Sequence, residues 1–84
     1  TRAAAVDLAP YNILVNAVSP GFVATEMTKR MLTPEEKEAL VARVPLRRLA
    51  EPDEIANIVL FLTSEYNTFI TAQNIVADGG FVSV

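Results

Sequence analysis

Eighty-four residues, 51% of them hydrophobic, carry seven Lys and Arg against ten Asp and Glu, with neither cysteine nor histidine. The net charge of −3 and pI near 4.7 argue against a nucleic-acid partner, because phosphate-backbone binding rests on clustered Lys and Arg. Without Cys or His there is no disulfide, no thiol nucleophile, no Cys-based metal site and no Ser-His-Asp arrangement within the chain.

In chain order, Arg2 to Ala9 is alanine-rich and favours helix, and Pro10 is expected to end it because proline cannot continue the hydrogen-bond ladder. Ile13 to Val18 is apolar apart from Asn16, as for a strand covered on both faces. It breaks into Ser19-Pro20-Gly21, where Pro20 fixes φ and Gly21 admits a close neighbour. Ligands of open α/β sheets collect outside the carboxyl ends of parallel strands, so this break is the first candidate site; a tight strand exit without ligand is the other reading. Ser19 does not point to a hydrolase, since no Gly-x-Ser-x-Gly elbow surrounds it.

Thr33-Pro34-Glu35-Glu36 reads as a capping box with Pro at the first helical position, predicting a helix from about Pro34 to Val44. Only Leu40, Val41 and Val44 give it an apolar stripe, which suits a surface helix. Arg43, Arg47 and Arg48 form a small basic cluster explained by a helix C-terminus and the solvated loop after it. Glu51-Pro52-Asp53-Glu54 starts the next helix, and its carboxylates oppose the positive end of the dipole, which accounts for them without a metal or acid pair. Ile55, Ile58, Val59 and Leu62 form one face, and Leu60 and Phe61 spill onto another, as in a helix buried on two sides. Gln73 to Ala77 reads as a second strand, ended by the turn Asp78-Gly79-Gly80.

Two strands joined through helices imply a parallel pair with a right-handed crossover. Parallel sheets need covered faces and further strands, so this chain is expected to complete its sheet with other protein. Its short length buries a modest share of surface, and a mean hydropathy of +0.31 is high for so small a core. The longest apolar run, Ile58 to Leu62, is far too short to cross a bilayer, and the N-terminus lacks a signal-peptide layout; no membrane partner is expected. Cytoplasm is the default location.

The stretch Ile13-Leu14-Val15-Asn16-Ala17-Val18-Ser19-Pro20-Gly21-Phe22-Val23-Ala24-Thr25-Glu26-Met27 resembles the strand and loop beside the nicotinamide in short-chain dehydrogenase/reductases. Pro45-Leu46-Arg47-Arg48 with Glu51-Pro52-Asp53-Glu54-Ile55-Ala56, and Ile70-Thr71-Ala72-Gln73 with Asp78-Gly79-Gly80, agree in order and spacing. Nearly the whole chain is covered, most like the classical branch of 3-oxoacyl-carrier-protein reductases and polyol or gluconate dehydrogenases. Asn12, Leu14, Ala72 and Ala77 stand where relatives usually have Gly, Arg, Gly and Val.

The resemblance implies an α/β fold, the C-terminal portion of a Rossmann-type doubly wound parallel sheet spanning residues 1–84. It implies NAD or NADP as cofactor, a small alcohol or carbonyl substrate, and a homo-oligomer, dimer or tetramer, formed through the last helix and strand. Pro20 and Gly21 would lie along the nicotinamide ring. Val23 would hold the carboxamide through its backbone amide and carbonyl, and the Thr25 hydroxyl would reach the carboxamide or pyrophosphate; alternatively Thr25 is a local helix cap. Met27 through Leu32 would border the substrate as a lid. The family's glycine-rich phosphate turn and catalytic Tyr-x-x-x-Lys are not in these residues, since Val15 stands four places after Tyr11 and Ile70 four after Tyr66. No catalytic residue is therefore assigned, and the 84 residues alone are expected to be inactive. A non-catalytic association module is the alternative function.

Overall fold

Two parallel strands whose partners are separated by most of the chain organise the structure, a computed structural model that describes residues 1–81. β1 (Ala17–Pro20) lies beside β2 (Asn74–Ala77), with Ala17 opposite Asn74 and Pro20 opposite Ala77. Parallel partners demand a crossover, and α2 (Glu26–Met31), α3 (Pro34–Ala42) and α4 (Pro52–Thr63) supply it. α1 (Arg2–Leu8) precedes β1 and runs into a 3₁₀ turn at Ala9–Tyr11. Pro10 thus tightens the helix end rather than stopping it at Ala9, and Asn12 leaves it in the left-handed region at φ 58°, a conformation Asn tolerates.

The first strand begins later than its apolar pattern suggests. Residues 13–16 run beside 70–73, but side chains make much of the pairing: Val15 N donates to Thr71 Oγ1 (3.0 Å), and Asn16 binds both Ile70 O (2.9 Å) and Gln73 N (3.1 Å). Ala72, at φ 62°, turns the partner segment out of extended geometry, so regular pairing starts at Ala17 and Asn74. Nor is the run covered on both faces as its pattern suggests: Ile13 is 46% exposed and Leu14 to Val18 are half-buried, so among the described residues the apolar run marks neither a regular ladder nor a buried strand.

The capping box before α3 is present: Glu36 N donates to Thr33 Oγ1 (3.1 Å) and Thr33 N to Glu36 Oε1 (3.2 Å). The helix stops at Ala42, and Val44, beyond its end, is buried while the helix itself contributes no buried residue. α4 turns Ile55, Ile58 and Leu62 half-inward; Val59 is exposed with Leu60 and Phe61, at 43%, 64% and 47%. That corrects the expected inward face by one residue and leaves the second apolar face bare. Ala5, Val44 and Leu49 are the buried hydrophobic residues among those described, in a body 50 × 25 × 19 Å across. After α4, buried Asn67 brackets the chain, donating to Leu62 O (3.0 Å) and Ile70 O (3.2 Å) and accepting from Ile70 N (2.9 Å).

Arg48 grips the start of α4. Its guanidinium forks onto both carboxylate oxygens of Glu54, with Nη2 to Oε2 at 2.8 Å, while Glu51 N donates to Glu54 Oε1 (2.9 Å). The hydrogen bonds from Arg48, then that from the Glu51 backbone, hold the Glu54 carboxyl at about 2, below its ordinary 4.5. A depressed acid stabilises the fold at pH above its unfolded value and loses that contribution as pH falls through its folded one. We therefore expect the melting temperature to decline between about pH 4.5 and pH 2 more steeply in the parent chain than in Glu54→Gln, by a small margin because the pair is solvent-exposed. Calorimetric melts of both proteins over that range measure the difference; parallel curves would remove the pair from the account.

Candidate functional site

The carboxyl end of β1 is built around one close approach. Gly21 N donates to Ala77 O (2.9 Å), and a Cβ on Gly21 would fall 2.8 Å from both Cα and Cβ of Asp78. The backbone of Asp78 cannot yield as a flexible side chain would, so glycine at position 21 lets the two strand exits lie side by side. Pro20, without an N–H, forms the last β1 residue, where the ladder ends.

Past Gly21 the chain forms a second parallel contact, an isolated bridge of Val23 with Ala50. Ala50 N donates to Phe22 O (2.9 Å) and Ala24 N to Ala50 O (2.8 Å). In a parallel bridge of this pattern the amide and carbonyl of the central residue, Val23, point away from the partner strand. The Val23 carbonyl accepts from Thr25 N at 2.9 Å and retains a second lone pair. A backbone donor and acceptor are thereby presented on the far side of the loop from Ala50.

Thr25 closes the segment as the N-cap of α2. Its Oγ1 accepts from Thr28 N (3.2 Å) and lies 2.9 Å from Thr28 Oγ1. The capping reading is thus realised, and it occupies an acceptor site; a hydroxyl has a donor as well, and the residue is exposed. The helix Glu26–Met31 that follows exposes Met27 (69%) and Met31 (72%). Its short span has little apolar periodicity, so it was legible in the sequence only through the Thr25 cap and Glu26 in the first turn.

All four sequence-derived positions, Pro20, Gly21, Val23 and Thr25, therefore fall on one continuous loop at the strand end. Pro20 and Gly21 line an open cleft of about 330 Å³ with Ser19, Phe22, Val76, Asp78 and Phe81. A second cavity of about 380 Å³ lies between α2 and α3, lined in part by Ala24, Thr28, Leu32 and Leu49. Val23 and Thr25 line neither. Ser19 Oγ donates to Asn74 Oδ1 (2.7 Å), a cross-strand tie that accounts for its hydroxyl. Sequence reasoning missed the aromatic contact of Phe22 with Phe81, ring centroids 5.2 Å apart; the two lie far apart in the chain and only the strand pairing joins them. Among the described residues no group of three acidic side chains is placed to hold a metal ion, and no helix is long and apolar enough to cross a membrane.

Residues 1–82 match the family described as enoyl-(acyl carrier protein) reductase. Over 80 residues the chain is 48% identical to the 3-oxoacyl-[acyl-carrier-protein] reductase FabG of Aquifex aeolicus, covering 95% of this chain and 32% of that protein. It is 45% identical over 84 residues to cyclopentanol dehydrogenase of Comamonas sp., covering 99% and 34%. Among solved structures, a putative gluconate dehydrogenase from Agrobacterium tumefaciens superposes with a TM-score of 0.90 at 35% identity, covering all of this chain and 34% of that one. YwfH, an NADPH-dependent reductase involved in bacilysin biosynthesis, gives 0.88 at 34% identity, covering 95% and 34%. The chain thus spans about a third of the length of the relatives it matches. Sequence match and backbone superposition agree with the parallel α/β arrangement, the C-terminal portion of a Rossmann-type sheet, and the chain belongs to the short-chain dehydrogenase/reductase family.

Proposed function

We propose that this segment serves an NAD(P)-dependent oxidoreductase that moves hydride between nicotinamide and a small alcohol or carbonyl compound. The observation that carries the reading is the Val23 peptide, which the bridge to Ala50 turns outward at the end of a parallel strand. A primary carboxamide offers one acceptor and two donors, and a backbone amide and carbonyl side by side complement it without a charged side chain. Pro20 and Gly21 supply the flat apolar wall for the ring, and the Thr25 hydroxyl gives its proton to the carboxamide or pyrophosphate while its lone pair caps α2. When bound, the nicotinamide supplies the hydride chemistry; the residues here bind and orient it. α2 and the residues through Leu32 border the alcohol or carbonyl substrate as a lid. The proposed location is the cytoplasm.

The proposed reading assigns proton transfer to no residue of these 84. A cofactor held by carboxamide contacts alone lacks the phosphate interactions that dominate dinucleotide recognition. Isothermal calorimetry of the 84-residue chain with NAD and NADP is expected to give negligible affinity and assays no turnover; micromolar binding would overturn this assignment of roles.

In an enzyme that carries this segment, Thr25→Val keeps the shape and removes the hydroxyl. Loss of one hydrogen bond is worth about 1 to 2 kcal/mol, and we expect cofactor affinity to fall accordingly, with Thr25→Ser restoring it. Cofactor KM and turnover measured beside the melting temperature separate the two roles: a lower melting point with unchanged kinetics would leave Thr25 a cap alone.

The outer face of α4 and the edge of β2 form the proposed homo-oligomer contact, in place of the alternative of a purely non-catalytic association module. Leu60 and Val76, 64% and 50% exposed, have apolar surface to bury and a strand edge to pair. Phe81, by contrast, packs against Phe22 within the chain, so a charge there would report on internal packing. Leu60→Glu and Val76→Glu are expected to shift the same enzyme to smaller species by light scattering at micromolar concentration; unchanged mass in both would refute the interface.

A further inference from the structure

The turn after β2 brings an aromatic ring back onto the candidate site. Gly79 and Gly80 take φ of 65° and 93°, and Asp78 fastens the reversal by accepting from Gly80 N at its Oδ1 (2.9 Å) and from Phe81 N at its carbonyl (3.3 Å). The Phe81 ring then meets Phe22 edge-on, with centroids 5.2 Å apart and planes at 84°. On the same ring sits the Arg43 guanidinium, its Cζ 5.0 Å from the centroid. Arg43 is the residue that closes α3. One ring therefore joins three segments distant in sequence: the strand-exit loop, the end of the helix behind the lid, and the turn after β2.

Phe22 lies between Gly21 and Val23. Its carbonyl is fixed by Ala50 N (2.9 Å), and its side chain is fixed by Phe81. We propose that Phe81, steadied by Arg43, is a positioning residue that sets the direction of the Val23 peptide and so the affinity for nicotinamide. The proposal rests on the reading of Val23 as the carboxamide contact. Phe81 also lines the cleft beside Pro20 and Gly21, and its effect on the Val23 peptide runs through Phe22; Arg43, which is not among the residues lining that cleft, tests this route separately. Edge-to-face ring contacts and a cation over a ring face are both electrostatic, since the ring carries a negative face and a positive edge. An aliphatic side chain of similar bulk fills the space without supplying either.

The test uses the full-length enzyme that carries this segment, with Phe81→Leu, Phe81→Tyr and Arg43→Gln. Phe81→Leu is expected to raise the cofactor KM and the cofactor dissociation constant about three- to tenfold, with substrate KM nearly unchanged, and Phe81→Tyr to restore the parent values. Arg43→Gln is expected to raise the cofactor KM about two- to fivefold. A role confined to stability would lower the melting temperature and leave the cofactor KM of the folded enzyme untouched, and that result overturns the proposal. Should Phe81→Leu fail to fold, Arg43→Gln, an exposed position, decides alone: an unchanged cofactor KM there overturns it equally. An unaltered enzyme that saturates with neither NAD nor NADP defeats the oxidoreductase reading itself, and the positioning role with it; an enzyme that saturates normally while the variants match it defeats only the positioning role.

Discussion

Parallel pairing of Ala17–Pro20 with Asn74–Ala77 is the constraint on which the rest of the structure depends. Joining residues so far apart costs loop-closure entropy that a hairpin would not. The crossover it requires is the long stretch that forms α2, α3 and α4. Both strands end on the same side, and therefore the Pro20-Gly21 exit and the Asp78-Gly79-Gly80 turn are neighbours. Their separation is small enough that a single methyl group on Gly21 would collide with Asp78. That side-by-side exit brings Phe22 and Phe81 together, while the bridge to Ala50 just beyond it turns the Val23 peptide outward.

Local chemistry was the most legible part of the sequence. The Thr33-Pro34-Glu35-Glu36 box specified the start of α3 because both halves of the cap lie within four residues. Asn12 and Ala72 were marked by departing from glycine, and both adopt positive φ. The strand limits were harder to read. Ile13 and Leu14 are apolar, yet Asn16 and Thr71 satisfy much of the backbone there through side chains, and no hydrophobic pattern distinguishes such pairing from a ladder. The candidate loop was read from Pro20, Gly21 and the family resemblance, and these residues lie together at the end of β1, whereas the Arg43, Phe81 and Phe22 contact involves no local motif and emerges only when the strands are paired.

Much of the apolar surface is left uncovered by the described residues. Val59, Leu60 and Phe61 occupy an exposed stripe on α4, and Phe69 is 95% exposed. Large apolar patches of this kind are characteristic of surfaces that meet other protein, and a two-stranded parallel sheet has the same need, since its strands are ordinarily covered on both faces. The buried interior is correspondingly thin, which gives the polar brackets at Asn16, Asn67 and Arg48 more weight than they would have in a larger domain.

Asn16 has a consequence of its own. Side chains alternate sides along a strand, so sliding β2 by one residue against β1 would exchange the faces presented by Ile75 and Val76. Short parallel strands with four residues each have little intrinsic means of resisting such a slip. The Asn16 amide spans the partner segment just before β2, donating to Ile70 and accepting from Gln73, and it can satisfy both at only one alignment. A single side chain thus acts as a ratchet tooth for the sheet: it selects the alignment in which Gly21 faces Asp78.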